Sequence, residues 1–290
     1  MKNSMNFRFQ KPETSRLIEK GYTAFDMHFH TRYSLDAISS INQSLRKARA
    51  NGFGVAVTDH NEIKGARKAI ESRIAQVIPG IEVTSQEGIH TLFYFDNLSE
   101  LEEFHNRTIR PSGNPFFIEH PIYQLLDLAS DYNCVICSPH PFSAGAPGLM
   151  NHDLSLGVLD RFHAVEIING YNTRTMNRKA VTRFRNIGKA ITGGSDGHTV
   201  HELGTVLTYA DPGDFLESLR KRKTRVIGHE GNIFEKAILA MVKEENYMAR
   251  AHKEKEALRL IGSQCRTELS YMRERLHLLK KFHSFHPPSF

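Results

Sequence analysis

The sequence predicts an α/β fold: one barrel-sized domain of parallel strands followed by a helical tail. Three observations predict it. Short apolar runs alternate with segments of helical spacing from about residue 22 to residue 210, the pattern of repeated βα units. Most of these runs are apolar on both faces, as strands covered by helices require. A series of histidines and carboxylates sits mostly where the runs end, the edge at which parallel β/α barrels gather functional residues. A length of 290 residues suits a barrel plus a tail, because such barrels reach about 250 residues as one unit.

Taken in order, residues 1–21 form a polar lead-in without the apolar stretch of a secretory signal. Residues 24–28 read as the first strand, and 38–50 as a helix that stops at Asn51-Gly52. Residues 55–57 form the next strand, ending at Thr58-Asp59-His60, and 62–75 the next helix. Residues 77–83 and 91–95 continue the strands. Residues 97–131 read as a longer excursion containing Arg110-Pro-Ser-Gly-Asn-Pro115, with a helix near 122–130; such loops often cover active sites. Residues 134–138 resume the strands and lead into Pro139-His140-Pro141 and a Gly/Pro-rich loop through residue 149. Runs at 164–168, 190–192 and 205–209 complete the series, with a helix around 175–186. The barrel domain is therefore expected over residues 22–228. Beyond it, residues 233–279 are almost free of Gly and Pro and rich in Ala, Glu, Lys, Arg and Leu. Residues 229–290 are expected to be a helical extension that packs over the barrel or joins subunits into a homo-oligomer.

Composition removes several functional classes. With 40% apolar and 24% charged residues the chain is globular in type, and no run approaches the roughly 20 apolar residues a membrane span needs. No Gly-x-Gly-x-x-Gly follows a strand and no Gly-Lys-Ser/Thr loop occurs, so dinucleotide and P-loop readings lose their support. Cys134 and Cys137 have CxxC spacing, but they lie in a strand, where residues three apart face opposite sides. With no second CxxC, they read as small buried hydrophobes. Their odd count with Cys265, and the missing signal, lead to the expectation of a reducing cytoplasm. The net charge of +6 includes the run Arg220-Lys-Arg-Lys-Thr-Arg225; such a run is a solvated helix end, or attracts phosphate-rich partners. His277, His283 and His286 read as an exposed tail.

The chemistry lies in His28, His30, Asp36, His60, Glu82, His90, His140, Asp196 and His198. His28 and His30 share one side of an extended strand, so both imidazoles can reach one ion. Met27 and Phe29 should face the opposite way. Asp26 reads as a carboxylate that accepts the second N–H of a ligating histidine, and Asp59 has the same supporting reading beside His60. Glu82 sits among apolar residues, where an unpaired carboxylate is costly and a cation resolves the cost. Six histidines and three carboxylates exceed the four to six donors that one ion takes. The mixed donor set suits zinc, manganese or iron and fits calcium poorly.

The motifs Asp26-x-His28-x-His30, Thr58-Asp59-His60, Pro79-Gly-Ile-Glu82 with His90, Pro139-His140-Pro141 and Gly194-Ser-Asp196-x-His198 resemble, in this order, the PHP (polymerase and histidinol phosphatase) superfamily. The resemblance covers roughly residues 22–210 and is closest to the stand-alone metal-dependent phosphoesterases. It implies a distorted (β/α)7 TIM-like barrel holding two or three divalent ions. One ion would take His28, His30, Glu82 and Asp196; a second would share Glu82 and take His90 and His140; a third would take Asp36, His60 and His198. Where the family often has Ser-Asp-Gly, this chain has Leu35-Asp36-Ala37, so Asp36 departs most from the pattern. Glu166 and Asn169 resemble a further family pattern, with Glu166 as a supporting carboxylate. The implied reaction is attack of a hydroxide bridging two ions on a small phosphomonoester, with Asp196 and His198 in catalytic positions and His198 able to assist the leaving group if the third ion is absent. Arg174 and Arg178 follow strand 164–168, and their guanidinium forks match phosphate oxygens; Arg32 and Lys64 are alternatives. Nuclease or nucleotide phosphodiesterase activity, C–N hydrolysis of the amidohydrolase type, and a non-catalytic metal-stabilised module stay open.

Overall fold

A computed structural model describes residues 6–154 and 156–230. The expected C-terminal helices, Cys265 and the histidines at 277, 283 and 286 lie outside the described residues.

The elements run β1 (Phe7–Phe9), α1 (Thr14–Glu19), β2 (Thr23–Phe29), α2 (Ile41–Ala50), β3 (Gly54–Val57), α3 (Lys64–Ser72), β4 (Val77–Thr84), β5 (His90–Phe95), α4 (Leu98–Phe104), α5 (Ile122–Ala129), β6 (Cys134–Ser138), α6 (Leu156–Asp160), β7 (Ala164–Asn169), α7 (Arg174–Phe184), β8 (Ala190–Gly194), β9 (Val206–Ala210), α8 (Phe215–Arg220) and β10 (Arg225–Gly228). The ten strands form one sheet in the order β1-β10-β9-β2-β3-β4-β5-β6-β7-β8. The sheet curls until β8 meets β9 and β2. Gly193 N and O each bond the Thr208 hydroxyl at 2.8 Å, and Asp196 N donates to His28 O at 2.7 Å. The result is a distorted, TIM-like α/β barrel, as expected.

Two expectations fail. The strands are not all parallel: β5 pairs antiparallel with both β4 and β6, and β9 pairs antiparallel with β2 and β10. A parallel return needs a crossover of a dozen or more residues. The β4–β5 link is instead a tight turn, closed by Ser85 N to Ile89 O at 2.9 Å with Gly88 at φ +87°. The lead-in is also not merely polar padding, since β1 pairs in parallel with β10 and extends the sheet edge.

The core is divided by the sheet. Outside, Leu45 and Ala48 of α2, Ala66 and Ala69 of α3, and Phe104 of α4 pack on Val55, Val57, Ile81, Phe93 and Phe95. Inside, Phe25, Met27, Ile78, Leu92, Tyr94, Val135 and Cys137 fill the lower barrel, closed below by Phe215, Leu216 and Leu219 of α8. Each such side chain is worth about 1.5–3 kcal/mol on burial, so this apolar plug fixes the barrel beneath a polar mouth. Cys134 belongs to the outer cluster and Cys137 to the inner, and both are free thiols. The pair thus straddles its strand and cannot share a metal. The excursion at 97–131 is more helical than its composition suggests, with α4 leading into a π-turn at His105–Ile109. It leans on the barrel rim through Ile118 N to Thr84 O at 2.9 Å and Gln86 N to His120 O at 3.0 Å. Among the described residues, no helix is long and apolar enough to cross a membrane.

Candidate metal centre

The ligand candidates come from seven different segments and meet at one mouth of the barrel. His28 and His30 leave β2, His60 follows β3, Glu82 is on β4, His140 follows β6, and Asp196 and His198 follow β8. His90 opens β5, and the antiparallel direction of β5 brings its start to the same end as the exit of β4. That reversal explains how a histidine at a strand's beginning joins residues at the ends of others.

Glu82 is the hub. Its Oε1 lies 3.0 Å from His90 Nδ1 and 3.2 Å from His140 Nε2. Its Oε2 lies 3.2 Å from His28 Nε2, His30 Nε2 and His60 Nδ1. Asp196 Oδ1 adds contacts of 3.2 Å to His30 Nε2 and 3.6 Å to His28 Nε2. Asp36 Oδ2 lies 2.8 Å from His198 Nε2 and 3.8 Å from His60 Nε2. Four groups of donor atoms close enough to share an ion result: His30, Asp36, His60 and His198; His28, His30 and Asp196; His28, Glu82 and His140; His60, Glu82 and His90.

The donors fit cations. His28 Nδ1 faces Glu166 Oε1 at 3.3 Å, and an anionic carboxylate only accepts, so Nδ1 carries a proton and, in the neutral ring, Nε2 carries a lone pair. That lone pair lies 3.1 Å from His30 Nε2 and 3.2 Å from a Glu82 oxygen. Converging lone pairs repel unless a proton or a metal ion sits among them. Among the described residues, two imidazole nitrogens are buried without a well-aligned hydrogen bond, His140 Nδ1 and His60 Nδ1, the latter 3.2 Å from Glu82 Oε2, an arrangement that costs free energy unless another group satisfies them.

Electrostatics show a demand for positive charge between these carboxylates. Burial alone would raise Glu82 and Asp196, yet the surrounding imidazoles hold both carboxyls well below the usual range. Burial would depress His28 and His30, but Asp196, Glu82 and Glu166 hold His28 well above its ordinary value, while Asp196 and Glu82 raise His30 to about 9. His60 goes the other way, driven by burial down to about 3 against the pull of Glu82 and Asp36. A neutral imidazole is the ligating form.

Of the three expected supporting carboxylates, Glu166 faces an imidazole, and Asp26 and Asp59 brace the backbone instead. Asp26 touches no imidazole. Its carboxylate accepts the backbone N–H of Ser195 and Gly204 at 2.8 Å each and of His28 at 3.3 Å. Burial raises it to about 6 in spite of its donors. A β-bulge between Asp26 and Phe29 breaks the alternation on which the expectation rested. For the same reason Met27 points into the barrel and Phe29 outward. Asp59 likewise accepts from Thr31 N at 2.6 Å and Thr31 Oγ1 at 2.7 Å, bracing the turn after His30; burial lifts it to about 7. The imidazole-orienting work falls to Glu166 and to Ser34, whose Oγ lies 3.0 Å from His30 Nδ1 and accepts from His60 N at 2.8 Å. Ser34 sits in a loop with no periodicity to single it out. Asn169 ties the supports together, donating to Glu166 Oε2 at 2.9 Å and Asp196 Oδ2 at 3.2 Å. Two ligand candidates hold left-handed backbone, His140 at φ +27° and Asp196 at φ +49°, a strain that sites of function accept.

Among the expected phosphate binders, Lys64 pairs with Glu62 at 2.8 Å. Arg174 lies 3.9 Å from Glu230 and over the Phe9 ring. Arg32 and Arg178 are exposed.

A family model for the PHP domain matches residues 26–203, while no curated protein matches the chain. The fold is similar to that of PsfC from Pseudomonas syringae, at 16% identity and a TM-score of 0.54, over 79% of this chain and 99% of that one. It is similar to a two-domain protein from Bacteroides vulgatus containing a predicted PHP-like metal-dependent phosphoesterase, at 16% identity and a TM-score of 0.54, over 77% and 68% of the two chains. It is also similar to the lesion-specific endonuclease PfuEndoQ from Pyrococcus furiosus, at 16% identity and a TM-score of 0.57, over 71% of this chain and 57% of that one. These likenesses concern the fold. With the family model covering well over half of the sequence, the chain belongs to the PHP domain family.

Proposed function

We propose that this protein is a metal-dependent phosphoesterase that hydrolyses a small phosphomonoester, using two or three divalent ions of zinc, manganese or iron. The observation that carries the proposal is the position of Glu82, buried, with one oxygen facing His90 and His140 and the other facing His28, His30 and His60. A carboxylate so placed suits a bridge between two cations. Ions held there would supply Lewis acidity, polarising phosphoryl oxygens and making water a nucleophile near neutral pH.

The chain's own groups do the rest. Glu166 fixes the tautomer of His28, Ser34 orients His30, and Asn169 aims Asp196. His198 donates Nδ1–H to the Asp196 carbonyl at 2.8 Å, which leaves Nε2 toward Asp36 to serve as a ligand or, when protonated, to hand a proton to a leaving alkoxide. For phosphate recognition, Arg32 and Arg178 are exposed and carry no ion pair among the described residues, while Arg174 and Lys64 would first have to leave Glu230 and Glu62.

The test is metal analysis with a phosphoester panel on wild type and His140→Ala, including a single-stranded oligonucleotide at several salt concentrations. The proposal expects at least two ions per chain and phosphate release from monoesters that His140→Ala loses. Oligonucleotide cleavage that weakens steeply with salt would select the nuclease reading. No phosphate release with any metal would overturn hydrolysis of phosphoesters.

A further inference from the structure

The segment Ser195–Gly204 carries both Asp196 and His198, and it is held by three side chains that are not themselves ligand candidates. Asp26 closes its two ends by accepting from Ser195 N and Gly204 N, each at 2.8 Å. Glu202 folds back inside it. One carboxylate oxygen accepts from His198 N at 2.8 Å, Thr199 N at 3.0 Å and Thr199 Oγ1 at 3.2 Å. Lys47 reaches in from α2, and its ammonium donates to Val200 O at 2.9 Å and His201 O at 3.0 Å. Its charge is also felt by Asp26 and Glu202. The fold-back is tight enough that a Cβ on Gly197 would lie 2.9 Å from Glu202 Cβ.

The two halves of this segment are secured differently. Asp196 is also fixed to β2, through its N–H to His28 O at 2.7 Å, and Gly197 O accepts from His30 N at 2.9 Å. His198 stacks its ring on that of His30, with centroids 4.3 Å apart, and its Nδ1 donates to Asp196 O at 2.8 Å. Its N–H rests on Glu202, and the next two carbonyls beyond Thr199 rest on Lys47. His198 in turn holds the Asp36 loop, because His198 O accepts from Ile38 N at 3.0 Å and His198 Nε2 lies 2.8 Å from Asp36 Oδ2. The chain of support therefore runs from Lys47 and Glu202 to His198 and on to Asp36.

We infer that Lys47 and Glu202 are positioning residues that set the ion subsite of Asp36, His60 and His198, and leave the Glu82-centred subsites largely untouched. The inference rests on the proposed metal-dependent function. Groups that orient ligands without touching the metal typically change affinity by about 10–100-fold. Here the effect should fall on one ion only.

The test titrates metal-free wild type, Lys47→Met, Lys47→Arg and Glu202→Ala with Co(II) or Mn(II), followed by calorimetry and by the stoichiometry retained after gel filtration. Lys47→Met and Glu202→Ala should weaken one ion by about 10–100-fold, keep the other binding steps within about twofold, and lower the melting temperature in metal by about 3–9 °C. Lys47→Arg, which preserves a cationic donor to the two carbonyls, should restore most of the lost affinity. Wild-type affinities at every step in both variants would overturn the inference and leave the function standing. Equal weakening of all steps in a folded variant would overturn the claimed selectivity. Should Lys47→Met not fold, Glu202→Ala and the Lys47→Arg comparison decide the matter by the same readings. Wild type that binds no ion would overturn the function and this inference together.

Discussion

Replacing Glu82 by Gln should separate the metal-stabilised protein from its apo form. The substitution keeps volume and removes the charge between two sets of imidazoles, His90 and His140 on one side and His28, His30 and His60 on the other. An ion at 100 times its Kd stabilises a fold by about 2.7 kcal/mol. Losing a direct ligand should cost at least the roughly 100-fold that outer partners can cost. At the same metal concentration the benefit then falls to about 0.4 kcal/mol, a loss of about 2.3 kcal/mol for each ion. Glu82 faces two sets of donors, so the loss doubles to about 4–5 kcal/mol. At about 2–4 °C per kcal/mol for a domain of this size, the metal-induced rise in Tm should shrink by roughly 10–20 °C. The assay is thermal unfolding with saturating metal and with chelator, on wild type and Glu82→Gln. Using the difference between the two conditions cancels changes in apo stability. An undiminished metal-induced rise in Glu82→Gln would refute the bridging role.

Other outcomes follow from the same geometry. Glu166→Gln should weaken metal binding by about 10–100-fold without removing a ligand, because Glu166 orients His28 and accepts from His140 N at 2.9 Å; calorimetric titration reads it. Gly194→Ala should abolish metal binding or folding, since a Cβ there would lie 2.4 Å from His28 N and 2.8 Å from its Cα; metal content and circular dichroism report which. In a Cys265→Ser background the native protein should resist a chromogenic thiol reagent at about pH 8. Burial pushes Cys134 up to about 12 and Cys137 higher still, leaving a thiolate fraction on the order of one in ten thousand or less, and both should react on unfolding. Among the cations, alanine at Arg178 or Arg32 should raise KM at little cost in kcat if either holds phosphate, as loss of uniform binding does.

Most of the candidate ligands were legible because they sit at or near strand ends, which show in the apolar runs, whereas Asp36 lies in the loop between β2 and α2 and came from the motif resemblance. His28 and His30 at i and i+2 needed no tertiary information to be paired. Alternation also misled at that place. The bulge between Asp26 and Phe29 is invisible in composition, so Asp26 was expected at an imidazole when it holds the backbone of the Asp196 segment. Ser34 was missed because a lone serine in a loop has no pattern. β1 and β10 were missed because three- and four-residue strands beside polar and basic stretches carry too little apolar signal, and their pairing is a contact between opposite ends of the described chain. The direction of β5 was readable only from the brevity of its link to β4, which outweighs the apolar character that suggested a parallel strand.

The central claim is that Glu82 joins two cations in one buried site. Its most direct test is a crystal structure of the protein reconstituted with manganese or zinc, with the ions placed by anomalous scattering. The account predicts at least two ions, each about 2.0–2.2 Å from its histidine nitrogens or carboxylate oxygens, with the two oxygens of Glu82 on different ions. One ion alone, or Glu82 turned away from both, would contradict it.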